Sequence, residues 1–260
     1  VGVVMKEIKK GELLGYPEFS ESIYWSQENT LYKLCKLLPN ERERIEFLKF
    51  VCQLNIKGLI KPLDLLSDGK IYGYEMPYVD GTTIDKVLVD PTTDINVIQI
   101  IKEMFNILGK IHEHFIYGDI RCSNIMISNN LPLFIDWDSG KPLNSNYWVV
   151  SYYNLFIKRR YEANKLEDIA KLYICALSLF YQADLELFVI RYGPYALREF
   201  LIESNSSIEI INALNILIKA YEGKNNSTSY DFNGMFSNIN LPSSKEKELI
   251  RARLNPFIRK

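Results

Sequence analysis

Residues 117–127 read Tyr117-Gly118-Asp119-Ile120-Arg121-Cys122-Ser123-Asn124-Ile125-Met126-Ile127, and a second apolar run ends in Ile135-Asp136-Trp137-Asp138. An aspartate is thus followed by an asparagine five residues on, and by another aspartate twelve beyond that. Phosphoryl transfer asks for these residue types. One carboxylate accepts or orients the proton of the attacking hydroxyl, while an amide oxygen and a second carboxylate hold Mg²⁺ on the nucleotide phosphates. A strand, a short loop and a second strand would bring all three to one place. Taken singly, Asn124 reads as a turn cap, Asp119 as a partner for Arg121, and Asp136 as a strand-end turn residue. The joint spacing turns the reading toward chemistry.

The rest of the chain must position that segment. Its 260 residues suffice for one large domain or two small lobes with a sizeable core. Lys plus Arg number 31 and Asp plus Glu 32, a balance that argues against a general nucleic-acid or membrane-surface binder. No apolar run reaches the length of a membrane span, and the longest helical one, Ile169 to Tyr181, carries Lys171. The first residues lack a secretory pattern, and Met5, behind Val1 to Val4, is a candidate start. Cys35, Cys52, Cys122 and Cys175 are scattered without a CxxC pair, and the histidines are His112 and His114 alone. A zinc site of ordinary spacing and a Ser-His-Asp triad are therefore not expected, and reduced thiols in a cytoplasmic protein are.

The first third predicts strands with one helix. Ile23 to Trp25 and Thr30 to Leu34 form a hairpin around a polar turn. Asn40 caps a helix whose apolar face runs from Ile45 through Phe47, Leu48 and Val51 to Leu54, with Glu41 and Glu43 at its positive end. Leu59-Ile60 and Leu63 to Leu66 read as a strand, Ser67-Asp68-Gly69 as a turn, and Ile71 to Val79 as a second strand. Helical periodicity begins near Thr83. Helices are expected over Val97 to His114, Leu166 to Phe180, Ile208 to Tyr221 and Ser243 to Leu254, with a loop over Lys224 to Gly234.

The loop motif and its setting resemble the protein-kinase-like superfamily. That resemblance covers about residues 11 to 220 and implies an α+β, two-lobed fold. A β-rich N-lobe with one helix would span 1–79, and a larger, mostly helical C-lobe 80–260. It implies ATP and Mg²⁺ as cofactors. Asp119 would be the catalytic aspartate, Arg121 would steady the γ-phosphoryl, and Asn124 and Asp136 would be the metal ligands. Lys33, with Lys36 as the alternative, would hold the α- and β-phosphates and pair with a helix glutamate, either Glu43 or Glu46. Tyr74 to Gly81 resembles the inter-lobe hinge. There Met76 would be the gatekeeper, the Pro77 carbonyl would accept from the adenine amino group, and the Val79 N–H would donate to the ring. Asp168 resembles the buried aspartate that anchors the catalytic loop through backbone N–H groups.

Several motifs depart from the protein-kinase pattern. Gly11 and Gly15 are all that stand where a glycine-rich loop is expected, leaving phosphate to backbone N–H groups and to Ser20 or Ser22. His-Arg-Asp is replaced by Tyr117-Gly118-Asp119, which implies activity independent of a phosphorylated activation loop. Asp-Phe-Gly is replaced by Asp136-Trp137-Asp138, as in antibiotic and choline kinases, and Ala-Pro-Glu is absent. The basic run Lys158-Arg159-Arg160 reads as a solvated face. Yet 40 residues separate Val79 from Asp119 and 32 separate Asp136 from Asp168, spacings closer to protein kinases. Three readings follow: a Ser/Thr protein kinase, a small-molecule kinase acting on a sugar, aminoglycoside or choline-type hydroxyl, and a nucleotide-binding pseudokinase. None has a nucleic-acid partner or a membrane span.

Overall fold

The computed structural model describes residues 21–25, 30–36, 41–67, 71–90, 95–143, 164–222 and 231–258. The chain divides into two units, Val1–Asp80 and Gly81–Lys260. The first is β-rich and the second mostly helical, a mixed α+β architecture.

In the first unit, β1 (Glu21–Trp25), β2 (Thr30–Lys36), β3 (Asp64–Ser67) and β4 (Ile71–Pro77) form an antiparallel sheet in the order β1-β2-β4-β3. The expected hairpin is β1–β2; its turn, and the helix cap at Asn40, lie outside the described residues. Helix α1 (Glu41–Gln53) buries Phe47, Leu48 and Val51, the face its apolar spacing dictates. Two expectations need correction. Leu59 and Ile60 precede β3 rather than joining it, although Leu59 is buried, and β4 stops at Pro77 rather than Val79. Proline has no N–H to continue a ladder, so the strand ends where its last donor is lost.

The register of this sheet sorts its side chains. Leu31 faces Met76 and Lys33 faces Tyr74 across β2–β4, so Lys33 and Met76 share one face. Tyr32 faces Glu75 on the other, where Thr30 Oγ1 donates to Glu75 Oε1 at 2.7 Å.

The second unit begins with β5 (Thr82–Thr83), α2 (Ile84–Val89) and α3 (Val97–Ile111). Then come β6 (Phe115–Ile116), a 3-10 turn (Cys122–Asn124), β7 (Ile125–Ser128), β8 (Leu131–Phe134), a second 3-10 turn (Trp137–Ser139) and β9 (Lys141–Pro142). Helices α4 (Lys165–Tyr181), α5 (Leu185–Glu203), α6 (Ile208–Tyr221), α7 (Phe232–Asn238) and α8 (Ser244–Ile258) complete it. The small sheets are β5-β7-β8 and β6-β9. Strands β7 and β8 are joined by Asn129-Asn130, both at positive φ, the backbone that a two-residue hairpin turn requires and asparagine tolerates. Helix α4 starts where the Asn164 side chain accepts the Glu167 N–H at 2.9 Å, and every residue from Ala170 to Tyr181 is buried, which makes it the central helix of the unit.

Helix α5 is not expected from the sequence. Gly193 (φ 84°, ψ 171°) and Pro194 break it, which interrupts the periodicity that would have announced it. Helix α7 begins at Phe232, inside the stretch read as a loop, where Asp231 Oδ1 caps the Gly234 N–H at 2.8 Å. Phe232 stacks on Phe105 of α3 (5.4 Å), and Phe232 and Phe236 both meet Tyr173 of α4. The residues beyond 222 therefore help to build the core of the helical unit. No helix among the described residues is long and apolar enough to cross a membrane.

Gly81 opens this unit beside β7, where an added Cβ would lie 2.9 Å from the Ile127 carbonyl oxygen. Gly81→Ala is expected to destabilise the protein by about 1–3 kcal/mol through displacement of the β5–β7 pair. A urea midpoint equal to wild type would show that the pair yields without cost.

Candidate active site

The loop from Tyr117 to Asn124 emerges from β6 and ends in the first 3-10 turn. Gly118, just before Asp119, has φ 86°, a conformation glycine adopts without strain. Asp119 and Asn124 are 8% and 3% exposed. The Asn124 amide Nδ2 donates to both the Asp119 main-chain oxygen and its Oδ2, each at 3.0 Å. Arg121 Nε stands 3.7 Å from Asp119 Oδ2, an ion-pair distance too long for a good hydrogen bond. Asp119 Oδ1 is buried and accepts no hydrogen bond among the described residues. A buried carboxylate oxygen left unsatisfied is costly, and it is the atom able to take a substrate hydroxyl.

The second aspartate is tied to the same loop. The Ile135 N–H donates to the Asn124 carbonyl at 3.0 Å, and Asp136 follows in the left-handed region (φ 60°, ψ 45°). Such backbone is uncommon outside glycine, asparagine and aspartate, and it gathers at functional sites. The Tyr117 hydroxyl donates to the Ile135 carbonyl, and its ring packs edge-on against Phe134. Asp119, Arg121, Asn124 and the backbone leading to Asp136 are therefore brought together. Asn124 spends its amide N–H groups on Asp119, while its Oδ1 accepts from the Ser123 hydroxyl at 3.4 Å and keeps a second lone pair for a ligand. An amide oxygen with a carboxylate is the hard donor type that suits Mg²⁺.

The loop is held from behind. Asp168 of α4 is 0% exposed; its Oδ2 accepts the Tyr117 N–H at 2.8 Å and lies 3.0 Å from His112 Nε2, while its Oδ1 accepts the Gly118 N–H at 3.0 Å. This is the anchor expected of Asp168. Glu186 of α5 accepts the Cys122 N–H at 2.9 Å. Neither His112 nor Glu186 is assigned this role by the sequence. His112 carried a signal, since a lone histidine at a buried helix end needs a partner. Glu186 carried only an acid at a helix start, which reads equally as a dipole partner.

Cys122, Cys175 and Glu186 place two sulfurs and a carboxylate oxygen within 4.8 Å of one another. The hydrogen bond to Cys175, then burial, pushes the Cys122 thiol well up, and burial does the same to Cys175. Neutral thiols beside a carboxylate already committed to a backbone N–H describe packing around the loop better than a metal centre.

In the first unit, Lys33 is buried at 4% exposure on the Met76 face of the sheet. Among the described residues neither Glu43 nor Glu46 is ion-paired with Lys33. Both are exposed, and Glu46 Oε1 accepts from Lys49 Nζ at 2.8 Å, which with the lysine charge lowers its pKa. In helix α1, Arg44 falls on the same face as Phe47, Leu48 and Val51 and is half-buried, while Glu43 and Glu46 are exposed. Met76 and Pro77 end β4, and Val79 follows in half-buried, irregular backbone. The side chains of Ser22 and Lys36, and all of Gly11, Gly15, Ser20 and 158–160, lie outside the described residues.

No family model matches the chain. It is similar to a probable serine/threonine-protein kinase, YbdM, of Bacillus subtilis, with 30% identity over 128 residues, 44% of this chain and 49% of that protein. It is also similar to a probable bifunctional tRNA threonylcarbamoyladenosine biosynthesis protein of Methanosphaera stadtmanae, with 36% identity over 105 residues, 35% of this chain and 20% of that protein. The matches thus span about half of the first relative and a fifth of the second.

Proposed function

We propose that the protein is an ATP-dependent phosphotransferase that moves the γ-phosphoryl to a hydroxyl, with a Ser or Thr of a protein as acceptor. The observation that carries the reading is the Asp119–Asn124 pair, with one Asp119 oxygen satisfied by the amide and the other unsatisfied. The partial similarity to a probable Ser/Thr kinase supports the acceptor class.

In this mechanism the acceptor oxygen attacks the γ-phosphorus in line. The bond to the β-phosphate oxygen breaks, ADP leaves, and the hydroxyl proton passes to Asp119 Oδ1. Arg121 offsets charge on the transferring group. On this reading Lys33, Met76, the Pro77 carbonyl and the Val79 N–H would serve the nucleotide. Asn124 Oδ1 and the Asp136 carboxylate would hold Mg²⁺, which neutralises phosphate charge when bound. Catalysis then comes from positioning and charge, with little covalent work by the chain.

Gly118-Asp119 and Asp136-Trp137-Asp138 favour a second reading, a small-molecule kinase. The deciding experiment supplies γ-labelled ATP and Mg²⁺ with a generic protein acceptor in one arm and an aminoglycoside panel in another. Label on protein supports the first reading, and label on a small molecule the second. Nucleotide binding without transfer in any arm leaves the pseudokinase reading. Asp136→Asn is expected to raise the Mg²⁺ concentration for half-maximal transfer by about tenfold or more. An unchanged Mg²⁺ dependence would remove Asp136 from the ligand set.

A further inference from the structure

The loop that carries Asp119 and Asn124 is pinned at both ends by carboxylates from different helices. Asp168 of α4 takes the N–H groups of Tyr117 and Gly118, immediately before Asp119. Glu186 of α5 takes the N–H of Cys122, two residues before Asn124. Glu186 is 9% exposed and sits in the first turn of α5, whose start is fixed by Asp184 Oδ1 accepting the Leu187 N–H at 2.9 Å. Cys122 begins the 3-10 turn that ends in Asn124, and the turn closes through the Asn124 N–H on the Arg121 carbonyl at 2.9 Å. The direction of the Asn124 side chain therefore depends on where the Cys122 N–H is held.

We propose that Glu186 is a positioning residue for phosphoryl transfer: by holding the Cys122 N–H it aims Asn124, as Asp168 aims Asp119. The role rests on the phosphotransferase reading. A charge-assisted bond to a backbone N–H is stronger than a neutral one, and loss of the acceptor strands a buried donor. A loop released at that end shifts the metal-side amide and the Asp119 carboxylate bonded to it. Ångström-scale misplacement of such groups costs rate rather than nucleotide affinity.

The test compares wild type, Glu186→Gln, Glu186→Leu, Cys122→Pro and the Cys122→Pro/Glu186→Leu double variant. Proline removes the N–H and with it the thiol, which bonds Cys175 and Glu186, so Cys122→Ala, which keeps the N–H, measures the thiol's share; the backbone suits proline. Cys122 is the first residue of the turn, and Arg121 before it is extended (φ −163°, ψ 163°). Activity is read in whichever acceptor arm supports wild-type transfer. Amide exchange is read on the 117–128 peptide, and thermal melts confirm folding.

For Glu186→Leu, kcat is expected to fall about 30- to 100-fold with the KM for ATP within about threefold. Loop exchange should quicken about tenfold. Glu186→Gln, which keeps an acceptor, should stay within about fivefold of wild-type kcat. The double variant should be no worse than the worse single, because both remove the same bond. A folded Glu186→Leu protein with wild-type kcat and exchange overturns the proposal, as does a Gln variant as slow as Leu, or additive losses in the double. If wild type transfers to no acceptor, the phosphotransferase reading falls. Exchange then still decides whether Glu186 holds the loop, and unchanged exchange in Glu186→Leu rejects it.

Discussion

Asp119→Asn is expected to lower phosphoryl transfer by about 10³-fold or more while ATP binding stays within about twofold. The substitution is nearly isosteric, and the local structure can absorb it. The new amide oxygen takes the place of Oδ2 and keeps the bond from Asn124 Nδ2, which measures 3.0 Å in the native protein. The new NH₂ then stands where Oδ1 stands, and it donates where the native atom accepts. An NH₂ cannot receive the proton of an acceptor hydroxyl, so the loss falls on the chemical step. Steady-state transfer rates beside a direct measurement of nucleotide affinity check both halves. Turnover within about tenfold of wild type would remove Asp119 from the proton-accepting role.

The largest expected effect on stability belongs to Asp168. Its carboxylate meets the N–H groups of Tyr117 and Gly118 and the His112 ring, all at 2.8–3.0 Å, and it is fully buried. Asp168→Ala leaves two buried N–H groups and an imidazole nitrogen without an acceptor, where water reaches poorly. The expected loss is about 3–5 kcal/mol, the range for removing one member of a buried charge-assisted network. Asp168→Asn keeps one acceptor oxygen and should lose about half as much. Urea unfolding of the three proteins measures this directly. An Ala variant as stable as wild type would mean that the loop is held by other groups.

These two residues also show what the sequence made legible. Asp119, Asn124 and Asp136 lie within one short strand–loop–strand segment, and the structure joins Asp119 to Asn124 and ties the backbone before Asp136 to the same loop. The anchoring role of Asp168 could be expected only through the resemblance, since an acid at the start of an apolar helix reads nearly as well as a dipole partner, whereas α6 runs from Ile208 to Tyr221 as its periodicity predicts. Glu186 was out of reach, since it meets Cys122 across 64 residues of chain and sits in a helix masked by Gly193 and Pro194. The choice between Glu43 and Glu46 as a partner for Lys33 is not legible for another reason. The apolar pattern of α1 fixes which side faces the core, with Glu43 at the edge of that side and Glu46 away from it, and the pattern does not report a polar partner on another element. Sequence patterns report periodicity well and long-range polar pairing poorly.

The left-handed backbone at Asp136 narrows which residues can occupy that position before any chemistry is considered. A side chain with a plain Cβ at φ 60° costs about 1–2 kcal/mol, whereas glycine, asparagine and aspartate tolerate it. An alanine there would therefore blend backbone strain with the missing carboxylate, while asparagine isolates the charge. The same constraint shapes divergence. If the proposed phosphotransferase reading holds, a descendant that lost the carboxylate would reach asparagine or glycine at position 136 most easily. Aspartate, asparagine or glycine there would separate active from silent descendants of this loop, while the backbone beneath them stayed unchanged.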